Sequence, residues 1–159
     1  MTDYQAKLDG QDTILTSYKV RQIEPSDLDI QPPSTQGTGR TPEELREELR
    51  ETAKEAAKHA TSDDSNGAAV HTDQNAIYSG ARLELPNDQD TAHALRVAIY
   101  KALSEGASEI SDVAVYADSR RIEICESCRE LLEEFGSSGL TIRTIDNTGR
   151  ERQYSLDEI

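Results

Sequence analysis

The sequence predicts an α/β domain over residues 41–159, three helices packed on one mixed sheet of about five strands, preceded by an N-terminal extension and linker over residues 1–40. Three observations point there. Stretches with one-sided apolar spacing alternate with short apolar runs in the order α-β-β-α-β-α-β-β; turn-forming residues separate them; and no internal repeat suggests a solenoid. At 159 residues the chain is sized for one such domain plus an extension.

Residues 13–23 read as a strand or strand pair, and residues 24–40, with Pro25, Pro32, Pro33, Gly37 and Gly39, as the linker. Thr41, Pro42 and Glu44 then open a helix: a threonine N-cap, proline at the first helical position and a capping-box glutamate. Leu45, Leu49, Ala53, Ala56, Ala57 and Ala60 give it one small-residue face. Two strands are expected over 67–72 and 76–85, joined by the turn-like Asp73, Gln74 and Asn75. A second helix is expected from about Thr91 to Ser104, with Ala92, Leu95, Ile99, Ala102 and Leu103 on one side and Gly106 ending it. Residues 113–117 form a buried-type strand. A third helix follows Cys125 and Cys128 through Phe135 and is closed by Gly136. Residues 140–145 and 150–156 complete a hairpin around the turn at 146–149.

Composition narrows the function classes. The 31 acidic residues against 17 basic ones give a net charge of −14, and only five of the cations are lysines. Nucleic acid is a poor partner for such a chain, because phosphate binding needs a basic footprint. An acidic skin over a core with one Phe and no Trp suits concentrated salt, a halophilic setting, where self-repulsion is screened. The regular apolar periodicity argues against an acidic disordered chain. No apolar run approaches eighteen residues and no charged-then-apolar leader is present, so no membrane partner is expected and a cytoplasmic location is.

The two cysteines, Cys125 and Cys128, fall in one C-E-S-C stretch at the start of a predicted helix, where backbone amides and the dipole favour thiolate. His93 opens another helix. If both helix starts face one crevice, an imidazole and two thiolates bind Zn²⁺ and leave a fourth position open, as in catalytic zinc sites. Arg96 and Arg129 are placed to offset the sulfurs' negative charge. The bland alternatives are a thiol-redox pair, or two buried thiols and a solvated histidine. Of the other histidines, His59 and His71 read as structural or exposed, with His71 the only candidate fourth ligand.

From Glu44 onward these residues resemble the small, homotetrameric, zinc-dependent type of cytidine deaminase. The first helix precedes Gly67, Ala68 and Ala69, as a helix precedes a Gly-Ala-Ala strand in that family. Arg82, Leu83 and Glu84 align with its N-x-E strand, His93, Ala94, Leu95 and Arg96 with its Cys/His-Ala-Glu-Arg helix start, and residues 98–106 with the segment after it. Ile124, Cys125, Glu126, Ser127, Cys128 and Arg129 align with Pro-Cys-Gly-Ala-Cys-Arg. The resemblance implies a cytidine-deaminase-like three-layer fold, zinc on His93, Cys125 and Cys128, a nucleoside or nucleotide ligand touching Arg82 and Glu84, and a homo-oligomer.

The departures matter as much. In the family a glutamate two residues after the histidine or cysteine ligand carries protons to the ring nitrogen and the departing ammonia; here the position is Leu95. Leucine carries no proton, so the expectation is impaired catalysis and a binding or regulatory role. The alternative is an active deaminase with a rewired proton relay, for which Glu126, or Asp88 and Asp90 before His93, are the candidates. The bland reading is that Leu95 simply packs in the core. Arg82 replaces the family's ribose-binding asparagine and Asp64 an aromatic residue, so an anionic group would suit Arg82, unless it is only a surface ion-pair partner.

Overall fold

Thr41 starts the first helix as its sequence requires. The Glu44 amide donates to Thr41 Oγ1 (3.2 Å) and the Thr41 amide to Glu44 Oε2 (2.8 Å), a complete capping box. The computed structural model describes residues 39–87, 91–119, 122 and 124–159. The strand expected over 13–23, the linker up to residue 38, and Asp88 and Asp90 lie outside the described residues. The elements are α1 (Pro42–Ala57), β1 (Asn66–Thr72), β2 (Ile77–Ala81), α2 (Ala94–Ser104), β3 (Ile110–Ala117), α3 (Glu126–Phe135), β4 (Gly136–Ile145), β5 (Glu151–Tyr154) and a closing 3-10 turn, Leu156–Glu158.

The sheet runs β2-β1-β3-β4-β5. Every neighbouring pair is antiparallel except β3 and β4, whose parallel pairing requires the crossover that α3 supplies. Period-two alternation divides the core. Ala69, Ala114 and Ile145 face α1 with Leu49 and Ala53, while Ala68, Val70, Val113, Val115 and Ile142 face α2 and α3 with Leu95, Ile99 and Leu132. The result is the expected α/β architecture of three helices and a five-stranded mixed sheet, with α1 on one face and α2 and α3 on the other.

Small residues let helix backbones ride directly on the sheet. A Cβ on Gly67 would lie 2.0 Å from Ala53 O, and one on Gly80 would lie 2.3 Å from Ala94 O and 2.5 Å from Ala98 N. Leu49, Ala53, Ala98, Ile99 and Ala102 are fully buried, so the core is built from alanine and branched aliphatics rather than aromatics.

Several element boundaries differ from expectation; β3, for one, begins at Ile110 rather than at residue 113. The second helix begins at Ala94 rather than near Thr91, because Ala92 exchanges two backbone hydrogen bonds with Leu83 (2.8 and 2.9 Å) and stays extended. That makes His93 the N-cap. The second strand ends at Ala81, short of residue 85. Gly136 closes α3 as expected, as its C-cap, but in an extended conformation (φ −77°) that also makes it the first residue of β4, ahead of the start expected at residue 140. The last hairpin forms as expected, with Asp146 Oδ1 accepting from the amides of Thr148 and Arg150 (both 2.9 Å) and Gly149 at φ +82°. Among the described residues no helix is long and apolar enough to cross a membrane.

Candidate metal centre

The centre forms where two helices start on the same face of the sheet. His93 is the N-cap of α2 (φ −68°, ψ 142°) and Cys125 the N-cap of α3 (φ −69°, ψ 156°). Neither side chain caps its own helix, so both are available to the crevice between the helix starts. Cys128 lies one turn into α3 and is buried. The chain reaches α3 from the carboxyl end of β3, which pairs in parallel with β4, and open α/β sheets place their ligand crevices at such strand ends.

His93 Nδ1 lies 3.0 Å from Cys125 Sγ and 3.9 Å from Cys128 Sγ. All three donor atoms fall within 4.8 Å of one another. Tetrahedral zinc with ordinary Zn–N and Zn–S bonds separates such donors by about 3.5 to 4 Å, so this set fits the ion with small adjustments. Three protein donors also leave one position for a ligand.

Electrostatics prepare the imidazole and restrain one thiol. Burial, aided by the charges of Arg82 and Arg96, holds the His93 pKa below its usual value, keeping the ring neutral and able to ligate. Burial and the neighbouring Cys125 push the Cys128 thiol up to about 12, against the opposing charge and backbone amide of Arg96. The dipole at the start of α3 therefore does not suffice to ionise Cys128. A divalent ion reverses this balance, because a coordinating thiol is deprotonated outright.

Beside the three donors lies a cavity of about 280 Å³. Leu95, Val115, Ala117, Ile122 and Ile124 make an apolar wall, and Asp64, Asn66, Arg82 and Ser119 supply polar groups. Leu95 is only 3 % exposed and belongs both to this wall and to the core packed on the sheet.

Residues 43–144, more than half of the chain, match the family model for the cytidine and deoxycytidylate deaminase zinc-binding region. The chain belongs to this family. Among curated relatives, the cytidine deaminase of Halalkalibacterium halodurans is 34 % identical over 94 residues, covering 58 % of this chain and 71 % of that protein. The cytidine deaminase of Sporosarcina psychrophila is 31 % identical over 77 residues, covering 48 % of this chain and 57 % of that one. Among solved structures, cytidine deaminase from Burkholderia pseudomallei superposes with a TM-score of 0.64 at 26 % identity, over 69 % of this chain and 91 % of that one. The Mycobacterium tuberculosis cytidine deaminase gives 0.56 at 27 % identity, over 68 % and 89 %. The family region is a zinc-binding one, and this deaminase-family domain carries a His/Cys/Cys group placed for that metal.

The other expected residues of the deaminase-family domain divide. Arg82 and Asp64 line the cavity. Glu84 does not; it is 40 % exposed and stands 3.6 Å from Arg82 Nη2. Glu126 is exposed and outside the lining, despite lying between the two cysteines in sequence. Arg96 bears on both His93 and Cys128, as expected. Arg129 instead pairs along α3 with Glu133 (2.9 Å). His71 is no fourth ligand: its ring bonds Ser111 Oγ (2.7 Å) and Asn75 Oδ1 (3.0 Å), at the opposite end of β1 from the cavity residue Asn66. His59 is exposed.

Sequence reasoning missed Asn66, Ser119 and the aliphatic wall. A signal was present: Val115, Ala117 and Ser119 recur at alternate positions along β3 and just beyond it, which puts them on one face. Asn66 needed the sheet order as well, since only the pairing of Asn66 with Ala117 brings the start of β1 to the carboxyl end of β3.

Proposed function

We propose that this domain binds zinc through His93, Cys125 and Cys128, holds a nucleoside- or nucleotide-type ligand in the adjoining cavity, and deaminates cytidine slowly or not at all, serving a binding or regulatory role. The observation that carries this reading is Leu95, an aliphatic side chain in the cavity wall two residues after a candidate metal ligand. When bound, zinc supplies a Lewis acid at its open position. His93 and the two cysteines orient the ion. The apolar wall excludes water around it. Hydrolytic deamination also requires a group that moves protons to the ring nitrogen and the leaving ammonia, and Leu95 moves none. Absence of a positioned acid–base group typically removes about 10²- to 10⁴-fold in rate, roughly 3 to 5 kcal/mol of barrier.

A second reading, an active deaminase with a rewired relay, draws support from Asp64, the only carboxylate among the described lining residues. A cytoplasmic homo-oligomer, the tetramer implied by the family resemblance, is part of the same proposal, and sedimentation or light scattering tests its assembly. The deciding experiment measures zinc content and then ammonia release from cytidine, deoxycytidine and CMP on one preparation. About one zinc per chain with turnover at least 10²-fold below an active family member is expected. Full turnover defeats the impaired reading in favour of the second, and zinc-free protein defeats both.

A further inference from the structure

We infer that Arg82 makes the cavity selective for a ligand bearing an anionic oxygen group, phosphate or carboxylate, over a neutral nucleoside. The inference rests on the ligand-binding part of the proposed function and not on slow turnover.

Arg82 lies on the cavity wall immediately after the edge strand β2, its backbone fixed by the hydrogen bond from its amide to Asn66 O (3.0 Å). Its side chain is only 28 % exposed, and its Nε is buried with no hydrogen-bond partner among the described residues. The ion pair it makes among the described residues, to Glu84, is 3.6 Å long and therefore too long for a hydrogen bond. Buried polar groups in folded proteins are nearly always paired, and a charged donor left unpaired is costly. A planar guanidinium also offers two parallel donors that match a carboxylate or phosphate edge.

The surroundings sharpen the inference. Arg82 and the exposed Asp64 are the acidic and basic side chains among the described lining residues, so Arg82 is the lining cation that can meet an anionic ligand. Glu84, half outside and loosely held, is the internal anion that an incoming one would displace.

The test is calorimetric titration of the zinc-loaded full chain, with zinc content verified, against cytidine, CMP, inorganic phosphate and orotate. CMP is expected to bind at least tenfold more tightly than cytidine. Arg82→Asn should abolish that preference by weakening CMP binding at least tenfold, and Glu84→Gln should strengthen anion binding. Phosphate or CMP binding that depends on Arg82 identifies a phosphate ligand; orotate binding with the same dependence identifies a carboxylate. Equal affinity for CMP and cytidine, a CMP preference that survives Arg82→Asn, or no binding of any probe overturns the inference. Arg82-dependent CMP binding together with rapid deamination would retain the inference while refuting the impaired-enzyme reading.

Discussion

Leu95 faces two ways, toward Ile99 and the sheet core and toward the cavity beside His93, so its replacement tests packing and chemistry together. Leu95→Glu is expected to raise ammonia release from cytidine by tenfold or more, part of the 10²- to 10⁴-fold that general acid–base catalysis typically contributes. It should also lower the melting temperature, because a carboxylate enters a buried site. No gain with zinc still bound would locate the defect instead in the ring pocket around Asp64 and Arg82. Cys128 gives a pH prediction. In the metal-free protein its pKa is raised from 9.0 to about 12, so its buried thiol stabilises the fold below about pH 9 and that contribution is lost as pH rises toward 12. Denaturant titrations of metal-free protein should show stability falling over that alkaline range, with a shallower fall in Cys128→Ala. Zinc uptake should release protons, measurable by calorimetry in buffers of different ionisation enthalpy. The three candidate metal ligands were legible in the sequence because their chemistry is scarce: two cysteines in 159 residues, and a histidine at a helix start. Asn66 and Ser119 were not, since their type is common and only strand pairing reveals their place.

Among the elements, α2 depends on the close approach of its first turns to β2. Gly80→Ala would push a methyl group against Ala94 O and Ala98 N, displacing the helix that presents His93. Overpacking of this kind typically costs about 1 to 3 kcal/mol. The expected result is a lower unfolding midpoint together with weaker zinc binding in a competition assay; normal zinc affinity would show that α2 accommodates the methyl without moving His93. Thr41→Ala removes the side-chain half of the α1 cap and should cost about 1 kcal/mol without changing zinc affinity, since α1 packs on the opposite face of the sheet. Helix α1 was readable to its first residue because its start signals are local. The start of α2 was not, because the bridge between Leu83 and Ala92 joins segments whose pairing no local pattern reports. The early start of β4 at Gly136 was hidden for a similar reason, its extended backbone being set by pairing with Ile110 on β3.

For the whole molecule, the charge of −14 predicts a stability that rises with salt. Thermal unfolding followed from about 0.1 M to about 2 M potassium chloride should shift steadily upward, as the screening length shrinks from about 10 Å to below 3 Å. A flat or falling profile would remove the halophilic expectation. The fold class was accessible from alternating helix and strand patterns, whereas the order β2-β1-β3-β4-β5 depends on contacts between segments far apart in the chain. That order also decides what the metal joins. His93 and Cys125 are 32 positions apart, each at the head of a different helix. One ion tied to both fastens the chain as a disulfide would, closing a long loop and narrowing the freedom of the unfolded state. Even a domain that turns nothing over thus has a mechanical reason to keep its ion.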